Sequence, residues 1–295
     1  MSTDPGLHAI VRERRQLINI AYRLLGSLTD AEDVVQEACA RWYALPRQQR
    51  ETIESPGAWL TTVTGRICLD LLGSARARRE RYVGEWVPEP LPDRSELDDP
   101  ADRITLDESV SMAFLIVLES MTPAERVAFV LHDVFGYRFP EVAEIVGRTP
   151  AACRQLAASA RRRIRAPRAP TTPTTQHADV VSSFKRAWRS NDISALIGLL
   201  DPAATMVGDG GGVVPAAPHP IEGGEQIARY LVELASRATA LNLAETTVNG
   251  RPGLVSRYDG VTVMVAAFDV EGDLIKHIWA VRNPEKLRHW QDGAS

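Results

Sequence analysis

The sequence predicts a multidomain chain: two all-α helical domains followed by a C-terminal α+β domain. Three observations carry this. Residues 11–82 and 106–165 place apolar side chains at helical spacing with no alternating, strand-like run. Prolines crowd two short intervals, at residues 84–100 and 166–176. After the second interval the pattern changes to helices followed by a meander of β-branched runs. A chain of 295 residues is long enough for two or three domains, each burying its own core. The expected divisions are residues 1–83, 84–106, 107–166, 167–176 and 177–295.

In the first domain, Leu17, Ile20, Ala21, Leu24 and Leu25 form one apolar stripe that stops at Gly26. Residues Thr29, Asp30, Ala31 and Glu32 read as a capping box opening a second helix. Val34, Val35, Ala38 and Trp42 take its apolar side; Asp33, Gln36, Glu37 and Arg41 lie mostly on the polar one. A polar loop with Pro46 and Pro56 leads to a third helix carrying Trp59, Leu60, Val63, Ile67, Leu71 and Leu72, then Arg76, Arg78, Arg79 and Arg81. Gly65 and Gly73 sit inside that helix, each at a cost on the order of 1 kcal/mol relative to Ala. Pro88, Pro90, Pro92 and Pro100, set among acids, then predict an extended, solvated tether.

The second domain opens near Leu106, and Thr122 with Glu125 forms another capping box ahead of Val127, Phe129, Val130 and Leu131. Residues 139–165 read as a helix-turn-helix. Pro140 suits a first helical turn, Gly147 can adopt the left-handed conformation that stops a helix, and Thr149 before Pro150 is a cap followed by a first helical residue. In the second helix Ala152, Leu156, Ala160 and Ile164 are expected to face inward, leaving Arg154, Gln155, Ser159, Arg161 and Arg162 on other faces. Arg and Gln suit purine edges and phosphates. Taken alone, the segment also fits a helical hairpin whose arginines only solvate its surface.

Residues 166–176, with Pro167, Pro170 and Pro173, form a second tether that would reach about 30 Å at ~3.1 Å per residue. Helices are expected at 179–189, 193–200 and 222–237, and strands at 241–248, 254–258, 261–268 and 274–281. Val261, Val263 and Val265 alternate with Thr262, Met264 and Ala266, the period of a sheet with one covered face.

The formal net charge of −4 gives no reason to expect nucleic-acid binding, yet the cations cluster at Arg12, Arg14 and Arg15, at Arg76 to Arg81, and at Arg161 to Arg168. No lysine precedes Lys185, which a GC-rich genome explains as well as a need for guanidinium contacts. Cys39, Cys68 and Cys153 stand far apart without metal-ligand spacing, which fits a reduced cytosol and no metal or other cofactor. The N-terminus has no apolar leader, and the longest greasy run, residues 113–118, is too short for a bilayer. A cytoplasmic protein without a membrane span is expected.

Two helical domains joined by an acidic, proline-rich tether, the first with a DAEDVVQE helix and the second ending in a helix-turn-helix, resemble a bacterial extracytoplasmic-function sigma factor. The resemblance covers residues 7–166. It implies a protein that is not an enzyme, whose partners are core RNA polymerase, at the β′ clamp and the β flap, and promoter DNA. Asp30, Glu32, Asp33, Gln36 and Glu37 would dock on the polymerase. Residues 55–81 resemble the regions that melt and read the −10 element, with Arg66, Arg76, Arg78 and Arg79 as DNA contacts. Trp42, Tyr43 and Trp59 could stack on unpaired bases, though aromatics at this spacing more often build core. Gly73 falls where relatives often carry arginine. Pro150, Ala151, Arg154, Gln155, Ser159, Arg161 and Arg162 would read the −35 element.

A subgroup of this family carries a fused SnoaL-like domain, a cone-shaped α+β fold of the NTF2-like kind. Three short runs resemble that subgroup: WVPEP (Trp86, Val87, Pro88, Glu89, Pro90), DGGG (Asp209, Gly210, Gly211, Gly212) and NPEKL (Asn283, Pro284, Glu285, Lys286, Leu287). Val87, Val213 and Glu285 depart from the usual Leu, Lys and Asp, and Val213 removes a cation. The resemblance implies that this domain regulates the sigma domains in cis by intramolecular contact, in a protein that is monomeric when free. The alternative is a ligand-binding or cyclase-type enzyme fused to a DNA-binding module. Asp209, His219, Asp259, Asp269 and His277 would supply its acid and base. Asp209 before three glycines and Asp259 before Gly260 are turn signatures first.

Overall fold

The computed structural model describes residues 5–79, 82, 84–92, 110–164, 172–237 and 242–291, without the side chains of 5–12, 75–79 and 237. They fall into two compact units. The first is drawn from Met1–Glu80 and Val117–Ala166, and the second from Arg81–Asp93, Leu106–Ile116 and Pro167–Ser295.

The first unit is helical: α1 (Pro5–Leu25), α2 (Leu28–Ala44), α3 (Arg47–Thr52), α4 (Pro56–Arg79), the end of α5 (Met112–Glu119), α6 (Pro123–Phe129), α7 (Phe139–Val146) and α8 (Pro150–Ile164). The stripe expected on the first helix, Leu17 to Leu25, is buried, as are Val34, Val35, Ala38 and Trp42 of α2. The cap of α2 differs from expectation. Ser27 is the N-cap, its side chain accepting from the Asp30 amide at 3.1 Å, because Gly26 turns left-handed at φ 69° and the helix starts two residues early. A short helix, α3, occupies what reads as loop. The box at Thr122 and Glu125 forms as expected, each side chain bonding the other's amide. Between α6 and α7 runs a π-helical turn, Val130–Val134, with no signature in the sequence.

The second unit carries α9 (Thr174–Arg189), α10 (Ile193–Leu199), α11 (Gly224–Arg237) and one six-stranded sheet. Its strands are β1 (Leu200–Asp209), β2 (Ile221–Glu222), β3 (Asn242–Val248), β4 (Arg251–Tyr258), β5 (Val261–Glu271) and β6 (Leu274–Val281), in the order β2-β1-β6-β5-β4-β3. Four strands meander as expected; β1, which runs parallel to β6, was not anticipated. Its exposed Pro202 and Ala203 break the alternation, which only Ala204 to Gly208 show. The first turn of α9, from Thr174, lies in the interval expected to be tether, and Thr172 is buried there, its hydroxyl donating to Val270 O at 2.6 Å.

The sheet buries both faces. One packs Val181, Phe184 and Trp188 of α9 and Ile227 and Leu231 of α11 against Leu254, Met264 and Ile278. The other buries Val255, Val265, Trp279 and Val281 beneath Val87, Met112, Leu287 and Trp290.

Val87 belongs to the interval expected to be solvated. Residues 85–91 form neither helix nor strand, as their prolines favour, but Val87, Pro88, Glu89, Pro90 and Leu91 are buried. Composition argued for solvation; two apolar side chains among the prolines found a sheet face instead. The backbone is also satisfied there. Asn249 accepts from the Leu91 amide at 3.0 Å and donates its own amide to Leu91 O at 2.9 Å, while Trp290 Nε1 donates to Pro90 O at 2.9 Å.

Candidate nucleic-acid interfaces and a buried hub

The helix-turn-helix forms where the sequence puts it. Gly147 ends α7 at φ 68°, and the Thr149 hydroxyl accepts from the Ala152 amide at 3.2 Å to start α8. Cys153, Ala157 and Ala160 are the buried residues of α8, with Ala152, Leu156 and Ile164 only half-buried, so the inward face is turned about one residue from the expected one. Pro150, Ala151, Arg154, Gln155 and Arg162 are exposed. Arg154 lies over the Phe139 ring at 5.3 Å. Arg161 is half-buried and ion-paired to Asp133 at 2.8 Å. Ser159 bonds Glu125. Burial opposes that carboxyl's charge, but hydrogen bonds from Thr122 and Ser159 and the Arg163 charge outweigh it and hold the group below the usual carboxylate range.

On α2, Asp30, Asp33, Gln36 and Glu37 are exposed in one acidic surface, Glu32 is half-buried, and Glu37 pairs with Arg41 at 2.8 Å. Trp42 is buried and meets Trp59 edge-on at 5.3 Å, so it is core; Tyr43 is 48% exposed and open to stacking. The side chains of Arg76, Arg78 and Arg79 lie outside the described residues. Arg66 is exposed, and its guanidinium donates to Glu144 O at 3.0 Å.

That bond is part of a contact between α4 and α7. A Cβ at Gly65 would stand 2.7 Å from Ile145 Cγ2, so this glycine admits α7 close to α4 and its helix cost has a packing reason. A Cβ at Gly73 would meet open space. Tyr137 joins the same contact: its hydroxyl accepts from Gln16 at 2.8 Å and lies 3.2 Å from the Thr61 hydroxyl. Nearby, burial lowers the Arg126 pKa to about 10 as its guanidinium donates to Leu24 O and Glu119 at 2.9 and 2.7 Å.

In the second unit the three short runs converge. Asp209, fully buried at the end of β1, accepts at Oδ1 from Tyr82 Oη at 2.7 Å and the Gly211 amide at 3.0 Å, and at Oδ2 from the Val87 amide at 3.0 Å and Lys286 Nζ at 2.6 Å. Its carbonyl accepts from the Arg282 and Asn283 amides at 2.7 and 3.0 Å. The Lys286 ammonium donates also to Val87 O and lies 4.2 Å from the Trp86 ring and 5.2 Å from that of Tyr82. Asn283 Nδ2 donates to Tyr82 Oη at 2.9 Å. Burial first, then the Asp209 bond, pushes the Tyr82 phenol well above its ordinary pKa.

The glycines of DGGG are steric requirements. A Cβ at Gly210 would overlap Val214 O, and one at Gly211, at φ 65°, would overlap the Asn283 side chain. Gly212 also takes positive φ, and Val213 is 71% exposed. In NPEKL, Pro284 and Glu285 are exposed while Asn283, Lys286 and Leu287 are buried. Tyr82, Asn249 and Trp290 were missed from sequence. Tyr82 reads as the end of a helical pattern, and a lone Asn or Trp between strands carries no signal.

The five candidate acids and bases are not gathered in one place. Asp209 is committed to the hub, Asp259 sits in the β4–β5 turn at φ 48°, and His219 is exposed. Only Asp269 and His277 are cross-strand neighbours, and His277 Nδ1 is engaged by the Thr205 hydroxyl at 2.7 Å. Among the described residues no group of three His, Cys, Asp or Glu side chains is placed to hold a metal, and no helix is long and apolar enough to cross a membrane.

Comparison with known proteins agrees with this organisation. Residues 9–78 match the description "Sigma-70 region 2" and residues 111–164 match "Sigma-70, region 4". The chain is 37% identical over 287 residues to the ECF RNA polymerase sigma factor SigJ of Mycobacterium tuberculosis, covering 93% of this chain and 90% of that protein. It is 35% identical over 288 residues to the probable ECF RNA polymerase sigma factor SigI of the same species, covering 96% and 95%. The crystal structure of M. tuberculosis SigJ superposes with a TM-score of 0.76 at 34% identity, covering 96% of this chain and 98% of that one.

Proposed function

The chain belongs to the extracytoplasmic-function sigma factors, and from that premise we propose that its SnoaL-like third domain governs in cis when its two DNA-reading parts act. As an alternative initiation factor it directs core RNA polymerase to its promoters. The acidic surface of α2, with Asp30, Glu32, Asp33, Gln36 and Glu37, docks on the β′ clamp, and the helix-turn-helix meets the β flap. The α4 arginines Arg66, Arg76, Arg78 and Arg79 hold the melted −10 strand, and α8 reads −35 through Pro150, Ala151, Arg154, Gln155, Ser159, Arg161 and Arg162. The free protein is a monomer in the cytoplasm.

The observation that carries regulation in cis is the capture of Tyr82, Trp86 and Val87 by Asp209 and Lys286. The −10 and −35 elements lie about 25 base pairs apart, roughly 85 Å at ~3.4 Å per base pair. With α4 touching α7 at Gly65 and Ile145, one protein cannot read both. The two must part, joined only by the tether. The third domain holds this tether at Val87 and Leu91 on one side and, through Asn249 Nδ2, at Val110 O on the other. Third-domain capture therefore restrains initiation until it is released.

Promoter-driven transcription with core polymerase tests this in three forms: the full chain, a truncation before Asn283 and one before Pro170. The truncations are expected to differ from the full chain, and equal output from all three would refute regulation by the third domain. Failure to co-elute with core polymerase in gel filtration would refute the docking assignment itself.

A further inference from the structure

The arginines of α8 are held in different ways, and the difference bears on which of them reads bases. Arg161 is ion-paired to Asp133 at 2.8 Å and Arg163 lies 3.8 Å from Glu125, so both are drawn toward carboxylates of the protein. Arg154 is held by its face. Its guanidinium carbon sits 5.3 Å from the centroid of the Phe139 ring, on the neighbouring helix α7. Phe139 is itself supported: His132 stacks on it with centroids 3.9 Å apart and planes 29° from parallel, and His132 Nδ1 bonds Tyr137 O at 2.8 Å.

Stacking leaves the edge of a guanidinium free. All its N–H donors stay available for a bidentate contact to guanine O6 and N7, while the aromatic face removes rotamers that a solvated arginine would lose on binding. We propose that Phe139 is a positioning residue for base readout: its ring, backed by His132, presents Arg154 to the −35 element and sets preference at the base pair Arg154 reads. This rests on the reading of α8 as the −35 helix.

The test is run-off transcription by the full chain with core polymerase on promoters randomised across the −35 element, scored by sequencing the transcripts. Arg154→Ala is expected to flatten preference at one base pair by about 5- to 150-fold, the worth of one bidentate contact. Phe139→Leu should flatten the same base pair by about two- to fivefold, the scale of an exposed cation–π contact. Phe139→Tyr keeps the ring and should keep the preference. In the Arg154→Ala background Phe139→Leu should add nothing, and −10 preference should be unmoved in every variant, which separates positioning from misfolding. A Phe139→Leu effect uniform over all −35 sequences, at a different base pair, or persisting without Arg154 would overturn the platform. If Arg154→Ala leaves preference intact, the reading of Arg154 fails first and the platform with it; if Arg154→Ala acts and Phe139→Leu does not, only the platform fails.

Discussion

The α4–α7 contact of the first unit and the Asp209 hub of the second both restrain a sigma domain, but by different physics. The first is made by shape and by hydrogen bonds without an ion pair: a glycine that admits an isoleucine, a tyrosine hydroxyl shared by Gln16 and Thr61, and an exposed arginine on a carbonyl. The second is made by a buried charge pair in which each ion has further partners. A partly exposed contact with no ion pair is lost in small steps and reforms easily. A buried ion pair is costly to leave half-made, because removing one partner strands the other. The hub therefore holds or releases as a whole, which suits a switch, while the α4–α7 contact suits a resting position.

The largest expected effect breaks the hub. Asp209→Ala strands the Lys286 ammonium and should cost about 3–5 kcal/mol in urea unfolding, with new protease cleavage within residues 84–92. Adding Lys286→Met should recover much of that loss. If the single and double variants are equally destabilised, the charge pair is not what closes the hub.

Gly65→Leu comes next. It should cost about 1–3 kcal/mol by overpacking against Ile145 and speed amide exchange in Phe139–Val146 with helix content unchanged in circular dichroism. Ile145→Ala should restore protection in that background. Smaller still is Tyr137→Phe, which removes two neutral hydrogen bonds at about 1 kcal/mol each and should leave residues 84–92 as protected as before. Loosening of the hub by this variant would erase the distinction between the two restraints.

A pH dependence in the second unit is absent at neutral pH and grows only in acid. Burial, with Arg251 nearby, lowers the His177 pKa from 6.5 to about 4, and its Nε2 has no hydrogen-bond partner. The folded protein favours the neutral ring, so this residue makes no difference above pH 6.5. Between pH 6.5 and 4 the unfolded chain takes up a proton that the fold refuses, and stability falls with pH. His177→Gln should flatten that limb of the melting curve, and an unchanged limb would contradict the assignment.

Much of this was legible in the sequence, and the exceptions have physical reasons. Periodicity gave the helices of the first unit and the strand meander because one face of each is buried against a neighbour. Gly147, Thr149 and Pro150 located the turn of the helix-turn-helix because each does one local job. β1 was lost because Pro202 and Ala203 interrupt its pattern directly after a helix. The three short runs pointed to the hub, yet its assembly was invisible: Asp209 also reads as an ordinary turn residue, and prolines argued that residues 84–92 are solvated. Burial there comes from Val87 meeting a sheet face supplied by strands far away in the chain. Ser27 capped α2 in place of Thr29 because Gly26 redirected the backbone.

Hydrogen exchange of the full chain, free and with core polymerase on promoter DNA, tests the central claim most directly. The Val87 and Leu91 amides, held by Asp209 and Asn249, should be protected in the free protein and lose that protection in the initiation complex. Protection that persists unchanged in an active complex would mean that initiation does not require release of the tether, and would contradict the account.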